Sequence, residues 1–85
     1  MIHYCVHAEF YDSGKVKACI VSREAKKRPS SQYQRRPGVA MFQIWAASAA
    51  NAIELLDLIK KGDCDLDDIL QLYSDKLELE RRLTA

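Results

Sequence analysis

Alternating apolar and polar positions at the start of the chain predict a β-strand. Side chains on a strand point to opposite faces with a period of two, so this spacing gives one apolar face. The segment 12–14, Asp-Ser-Gly, is a turn signal, and the run 15–24 then returns as a second strand. The sequence therefore predicts a β-hairpin over residues 2–24. The apolar positions of its first strand are Ile2, Tyr4, Val6, Ala8 and Phe10.

The length of the hairpin loop fixes which residues face each other. A three-residue loop pairs Glu9 with Lys17 as a cross-strand ion pair, and Val6 with Ile20 on an apolar face. A slip of one residue would mix apolar and polar side chains on both faces. We therefore predict the three-residue loop, and we expect helices to cover the face that carries Val6 and Ile20.

The next apolar run, residues 39–46, predicts a third strand. It is apolar on both faces apart from Gln43, which is typical of a central or well-covered strand. The segment 25–38 separates it from the hairpin. Pro29 and Pro37 have no backbone N–H to donate to a sheet, and the serines and glutamine between them favour turns. We predict an exposed loop over 25–38.

An apolar spacing of three and four residues predicts a helix over 49–61. Ser48 is a suitable N-cap, and Gly62 is a suitable C-terminal stop. We expect the apolar stripe of this helix to lie on the sheet. Its members are Ala49, Ala52, Ile53, Leu56 and Ile59.

A second helix is predicted over 66–83, entered through Asp63 or Asp65. Its main apolar stripe is expected to complete the core. A second stripe is displaced around the helix and predicts a contact with the first helix or with another copy of the chain, as a homodimer. The main stripe is Leu66, Ile69, Leu70, Tyr73 and Leu77, and the second is Leu72, Leu79 and Leu83.

These elements predict an α+β fold in a single domain over residues 1–85. The order is β-β-β-α-α: a three-stranded antiparallel sheet followed by two helices packed on one face. The chain has 85 residues, and a domain of this size buries a modest fraction of its surface, so modest stability is expected.

The net charge of +1 conceals an uneven distribution. Residues 1–40 carry a net +5, and residues 41–85 carry a net −4. The basic loop therefore predicts an anion-binding surface, most simply for nucleic acid, with the alternative that it is a solvated connection that keeps the protein soluble. The residues assigned to nucleic-acid or anion binding are Lys26, Lys27, Arg28, Tyr33, Arg35 and Arg36.

The polar face of the hairpin carries candidate metal ligands. His3, Cys5 and His7 alternate along the first strand, and the predicted register places Cys19 opposite His7. His3 and His7 are about 13 Å apart along a strand, too far to share a tetrahedral ion. Cys5, His7 and Cys19 lack a fourth ligand. We predict no metal, and free, reduced thiols for all three cysteines, because no C-x-x-C spacing occurs.

Other chemical signatures are missing from the sequence. The acidic run 63–68 lacks the glycine and the final glutamate of a calcium loop, and helix capping explains it. No phosphate-binding glycine loop, nucleophile elbow or zinc-protease motif occurs. The sequence therefore predicts a protein that is not an enzyme and uses no cofactor.

The functional prediction is a small, non-catalytic binding module whose basic loop engages a polyanion. The alternative is a protein–protein interaction factor, such as a small inhibitor, adaptor or assembly protein. It would act as a homodimer through its C-terminal helix and contact a protein target through the sheet face or the basic loop. No apolar run reaches the ~20 residues that span a bilayer, so we expect no membrane partner and a cytoplasmic protein.

Overall fold

The computed structural model describes residues 2–24 and 31–84, and for residues 83 and 84 the backbone alone. Four strands precede two helices. They are β1 (His3–Tyr11), β2 (Val16–Glu24), β3 (Gln32–Arg36), β4 (Val39–Ala46), α1 (Ala49–Lys61) and α2 (Leu66–Thr84).

The four strands form one antiparallel sheet in the order β2-β1-β4-β3. β1 and β4 lie at the centre, and β2 and β3 form the two edges. The α+β class is confirmed, but the predicted number of three strands is wrong. The additional strand is β3.

β3 arises from a hairpin that the sequence prediction missed. Gln32 pairs with Gln43 and Arg36 pairs with Val39, so only Pro37 and Gly38 connect β3 to β4. Gly38 has a φ of 81°, which glycine adopts without strain, and Pro-Gly favours a turn of this kind. The predicted loop over 25–38 is therefore wrong over residues 32–36, which form β3. Its segment 25–30 lies outside the described residues.

The β1–β2 hairpin has the predicted loop but a different register. The Tyr11 N–H donates to the Lys15 carbonyl at 2.8 Å, which closes the three-residue loop. Phe10 pairs with Val16, and the register then shifts by one residue, so that Glu9 pairs with Ala18. Lys17 is the extra residue of this β-bulge. The predicted pairing of Glu9 with Lys17 is wrong.

The bulge changes which residues of β2 face the core. Val6 pairs with Val21, and His7 pairs with Ile20. Ile20 therefore lies on the face opposite Val6 and is 61% exposed, so the predicted Val6/Ile20 face is wrong. The shift places Cys19 and Val21 against the helices in place of Ala18 and Ile20.

Both helices pack on the same face of the sheet. α1 contacts β2, β1 and β4, and α2 contacts β4. The Tyr73 ring of α2 lies 6.3 Å from Phe42 and 5.8 Å from Tyr33. The core combines alternate strand residues with three helical residues and one cysteine between the helices: Val6, Ala8, Phe10, Cys19, Ala40, Phe42, Ile44, Ala52, Ile59, Cys64 and Ile69.

The ends of α1 follow the sequence signals. The Ser48 hydroxyl accepts a hydrogen bond from the Asn51 N–H at 3.1 Å, and Gly62 ends the helix with a φ of 81°. Ala52 and Ile59 are buried as predicted. Ile53, however, is 53% exposed, so its predicted place in the buried stripe is wrong.

α2 begins with a reciprocal pair of carboxylates. The Asp68 N–H donates to Asp65 at 2.9 Å, and the Asp65 N–H donates to Asp68 at 3.1 Å. This arrangement satisfies backbone donors at the helix start, which explains acidic residues there. Ile69 is buried, and Leu66, Leu70 and Tyr73 pack against the core.

Candidate functional site: the uncovered face of the sheet

The sheet face that points away from both helices carries two cross-strand rows of four residues. The strand pairings define them. Within 2–24 and 31–84, no helix covers these rows, and together we call them the open face. The first row is Gln32, Gln43, His7 and Ile20, and the second is Gln34, Met41, Glu9 and Ala18.

The open face is well exposed and contains a depression of about 300 Å³. Ile20 is 61% exposed at its β2 side, and Ala18 beside it is exposed as well. Met41 is half-buried at the centre. Ile20 and Ala18 form an exposed apolar pair on β2, and His7 and Glu9 of β1 separate this pair from Met41 on β4. An exposed apolar pair beside a depression is compatible with an interaction surface.

Few charges interrupt the open face, although Arg36 follows Gln34 on the same side of β3. Glu9 and His7 are its ionisable members, and both lie on β1. Three glutamines occupy the β3 side and part of β4: Gln32, Gln34 and Gln43. Each carboxamide both donates and accepts hydrogen bonds, so this surface suits a neutral polar partner better than a polyanion.

His7 is held in place by a neighbour on β2. Its Nε2 lies 2.7 Å from the Ser22 hydroxyl. A serine nucleophile would also need a group that orients its histidine base. Among the described residues, no carboxylate is hydrogen-bonded to the imidazole. The pair therefore fixes the position of His7 on the open face.

The cysteines do not form the arrangement that the predicted register implied. Cys19 pairs with Ala8 and is buried beneath the helices, so the predicted position of Cys19 opposite His7 is wrong. Cys5 lies on the opposite side of the sheet, where it is 1% exposed. All three thiols are free. Within the described part of the chain, no cluster of three metal-ligand residues occurs.

Burial keeps the thiols neutral. It raises the pKa of Cys5 to about 11, and the nearby charge of Glu24 adds to the effect. Burial likewise raises the pKa of Cys19 and the pKa of Cys64. A raised pKa lowers the thiolate fraction at neutral pH, so these cysteines have the environment of structural residues.

The residues predicted to bind a polyanion do not share one surface. Lys26, Lys27 and Arg28 lie outside the described residues. The Tyr33 ring packs 4.8 Å from the ring of Phe42 on the helix side of the sheet, so it is not presented for stacking on a base. Adjacent strand residues point to opposite faces, which separates Arg35 from Arg36.

Arg35 is engaged within the molecule. Its guanidinium is 2.9 Å from the Asp12 carboxylate in the β1–β2 loop. A hydrogen bond with Tyr33 raises the pKa of Arg35, and the charge of Asp12 raises it further. Arg36 is exposed at the end of β3.

The three leucines assigned to a dimer interface also have different environments. Leu72 packs against the core, and Leu79 is 55% exposed. The side chain of Leu83 is not among those described. The predicted interface on α2 therefore depends on Leu79.

One stabilising contact had no signal in the sequence. The Glu80 carboxylate accepts hydrogen bonds from the N–H of Ser31 at 3.2 Å and from its hydroxyl at 3.1 Å. The hydroxyl oxygen of Ser31 also accepts a hydrogen bond from the backbone N–H of Trp45 at 3.3 Å. Glu80 thus joins the C-terminal half of α2 to the start of β3, and Ser31 is 3% exposed as a result.

No helix in the described ranges is long and apolar enough to cross a membrane. Comparison of the chain with protein-family models, with curated proteins and with solved structures gave no match.

Proposed function

We propose that this protein is a non-catalytic binding module that recognises a protein through the open face of its sheet. The observation that carries the proposal is the exposed pair Ile20 and Ala18 on β2, together with half-buried Met41 beside Gln34 and Gln43, on the side of the sheet away from both helices. This proposal moves the contact surface from the basic loop and α2 to the sheet.

The chemistry of the open face favours a protein partner. Protein interfaces have centres depleted in charge, with apolar contacts surrounded by polar groups. The open face has few charges: Ile20 and Ala18 lie side by side on β2, Met41 lies beside Gln34 and Gln43, and Glu9 is the one carboxylate of the two rows. A nucleic-acid surface would instead present several cations toward phosphates.

Three exposed aliphatic residues on three different surfaces allow a matched test. Ile20 lies on the open face, Ile53 on α1 and Leu79 on α2, with exposures of 61%, 53% and 55%. A single lysine at each site adds the same charge at a similar exposure. Capture is measured with tagged protein in pull-downs from native lysate to which the untagged chain has been added. We expect Ile20→Lys to abolish capture of protein, because a charge would be buried at the contact.

Ile53→Lys and Leu79→Lys are the controls and should capture as the unmodified protein does. Circular dichroism of each variant verifies that it is folded. If Ile20→Lys retains capture while Leu79→Lys loses it, the contact is on α2 and the open face is not the binding surface.

A second candidate function, binding of a polyanion such as nucleic acid, is supported by the net +5 of residues 1–40. Gel-shift titration with single- and double-stranded DNA and RNA tests it, with the combined variant Arg35→Ala, Arg36→Ala and Lys27→Ala. Binding that weakens in the variant and at raised salt would support it. Binding that is unchanged in the variant, or no binding at low salt, would contradict it.

A further inference from the structure

We propose that the partner of the open face is a second copy of this chain, packed sheet against sheet about a twofold axis. This inference rests on the proposed function and names the partner of the same surface. A neutral, amide-rich face is a good partner for itself, because carboxamides pair donor to acceptor and no like charges need to meet.

The order of residues in the two rows identifies the axis. A twofold axis that lies between the rows, parallel to the sheet and perpendicular to the strands, places each row over the other row of the second copy. His7 of the first row then faces Glu9 of the second copy, and the pair occurs twice. His7 and Glu9 are the ionisable members of the open face, and this axis gives each of them a hydrogen-bonding partner in the second copy.

The remaining residues of the rows are complementary under the same axis. Ile20 faces Ala18 of the second copy, Gln32 faces Gln34 and Gln43 faces Met41. Apolar residues therefore meet at the β2 side and carboxamides meet at the β3 side. Side chains of packed sheets interdigitate at a sheet spacing of about 10 Å, and the depression of about 300 Å³ supplies space for them.

The other twofold arrangement is less favourable. An axis parallel to the strands would place Glu9 against Met41 and Ile20 against Gln32 of the second copy. That arrangement leaves the Glu9 carboxylate against a thioether, which has no hydrogen to donate, so a buried acceptor stays unpaired. The perpendicular axis is therefore the one that the hydrogen-bonding groups select.

The hydrogen bond between His7 and Ser22 agrees with this pairing. When the Ser22 hydroxyl donates to Nε2, the proton of the neutral ring is on Nδ1, and His7 donates from there to a carboxylate. The interface is small, since eight residues form its centre and stable interfaces use roughly 20–30 a side. We expect a reversible dimer in the micromolar range.

Sedimentation equilibrium near neutral pH tests the pairing, from low micromolar to sub-millimolar concentration. The unmodified protein should show a monomer–dimer equilibrium. His7→Glu places two carboxylates opposite each other at each pair, and we expect the dimer to weaken about tenfold or more. The double variant His7→Glu with Glu9→His exchanges the two groups and should restore most of the affinity.

The rescue separates charge pairing from structure. Both His7→Glu and the double variant lose the hydrogen bond to Ser22, so a purely structural role of His7 would weaken the dimer equally in both. A protein that is monomeric at every concentration, a dimer that His7→Glu leaves unchanged, or a double variant as weak as His7→Glu overturns the proposed pairing.

The pull-down distinguishes failure of this inference from failure of the proposed function. A monomeric protein that still captures a lysate protein, and loses it in Ile20→Lys, overturns the self-association while the open face remains a binding surface. A monomeric protein that captures nothing overturns both.

Discussion

At the scale of single residues, Lys17 determines which side chains reach the core. Because it is the extra residue of the bulge, Cys19 and Val21 turn inward and Ile20 turns outward. The sequence prediction chose the register from an apolar face, on which Val6 faces Ile20, and from the Glu9–Lys17 ion pair, whose free energy is below about 1 kcal/mol. Burial of a large apolar side chain is worth about 1.5–3 kcal/mol, and the bulge gives that burial to Val21 and Cys19 in place of Ile20 and Ala18.

The burial of Cys5 has a consequence for stability at high pH. An unperturbed thiol titrates near 9.0, whereas the pKa of Cys5 in the folded protein is about 11. Between these values the unfolded chain releases a proton that the folded protein retains. The free energy of unfolding should therefore fall as pH rises, by up to about 1.4 kcal/mol per pH unit.

Urea unfolding of the unmodified protein and of Cys5→Ala, between pH 8 and pH 11, checks this prediction. The comparison concerns the slopes, since Cys5→Ala also changes packing. The variant should lose stability with pH less steeply. Equal slopes would show that Cys5 does not titrate differently in the folded protein.

The contact between Glu80 and Ser31 predicts how the loss of one carboxylate changes the stability of the protein. Glu80→Gln replaces the charged acceptor of the hydrogen bonds from the Ser31 N–H and hydroxyl by a neutral amide. We therefore expect a loss of about 1.5–3 kcal/mol in the free energy of unfolding. Glu78→Gln is the control, because Glu78 pairs with Arg82 on the exposed surface of the same helix. That pair contributes about 0.5 kcal/mol. Equal losses in urea unfolding would contradict the assigned role of Glu80.

At the scale of elements, local signals located most of the fold. The Ser48 cap, the Gly62 stop and the apolar stripe of α2 correctly predicted where the helices begin, end and pack. β3 was missed because its four polar or charged residues around Tyr33 are typical of a loop, and only pairing with β4 makes them a strand. The Pro37-Gly38 dipeptide was the available signal for that hairpin.

The turn between β3 and β4 depends on the left-handed conformation of Gly38. Apart from Gly38 and its two chain neighbours, no atom lies within 4 Å of a Cβ added at this position, so the effect of a substitution there is conformational. Gly38→Ala should lower the free energy of unfolding by about 1–2 kcal/mol. Gly38→Asn should cost less, because asparagine tolerates positive φ. Thermal unfolding of both variants checks this order, and an equal or reversed order would contradict the turn.

At the scale of the whole molecule, one face of the sheet packs against the helices, and the other is the face that we propose as the contact surface. Both helices stabilise the face that carries Val6 and Phe42, and the open face carries the exposed Ile20. The sequence could not identify the open face, because its composition follows from the bulge and from β3, which are set by long-range pairing. The charge asymmetry was visible in the sequence, but Tyr33 and Arg35 proved to be engaged within the molecule.

The chain's four glutamines offer the most direct measurement of the central claim. Gln32, Gln34 and Gln43 lie on the open face, and Gln71 lies on α2, where its amide donates to Asp75. The measurement is the NMR shift of each side-chain amide in a concentration series of the protein, and again with any captured partner. If the open face is the binding surface, the side-chain amide signals of the three sheet glutamines shift and that of Gln71 does not. Shifts at Gln71, with the three sheet glutamines unchanged, would contradict it.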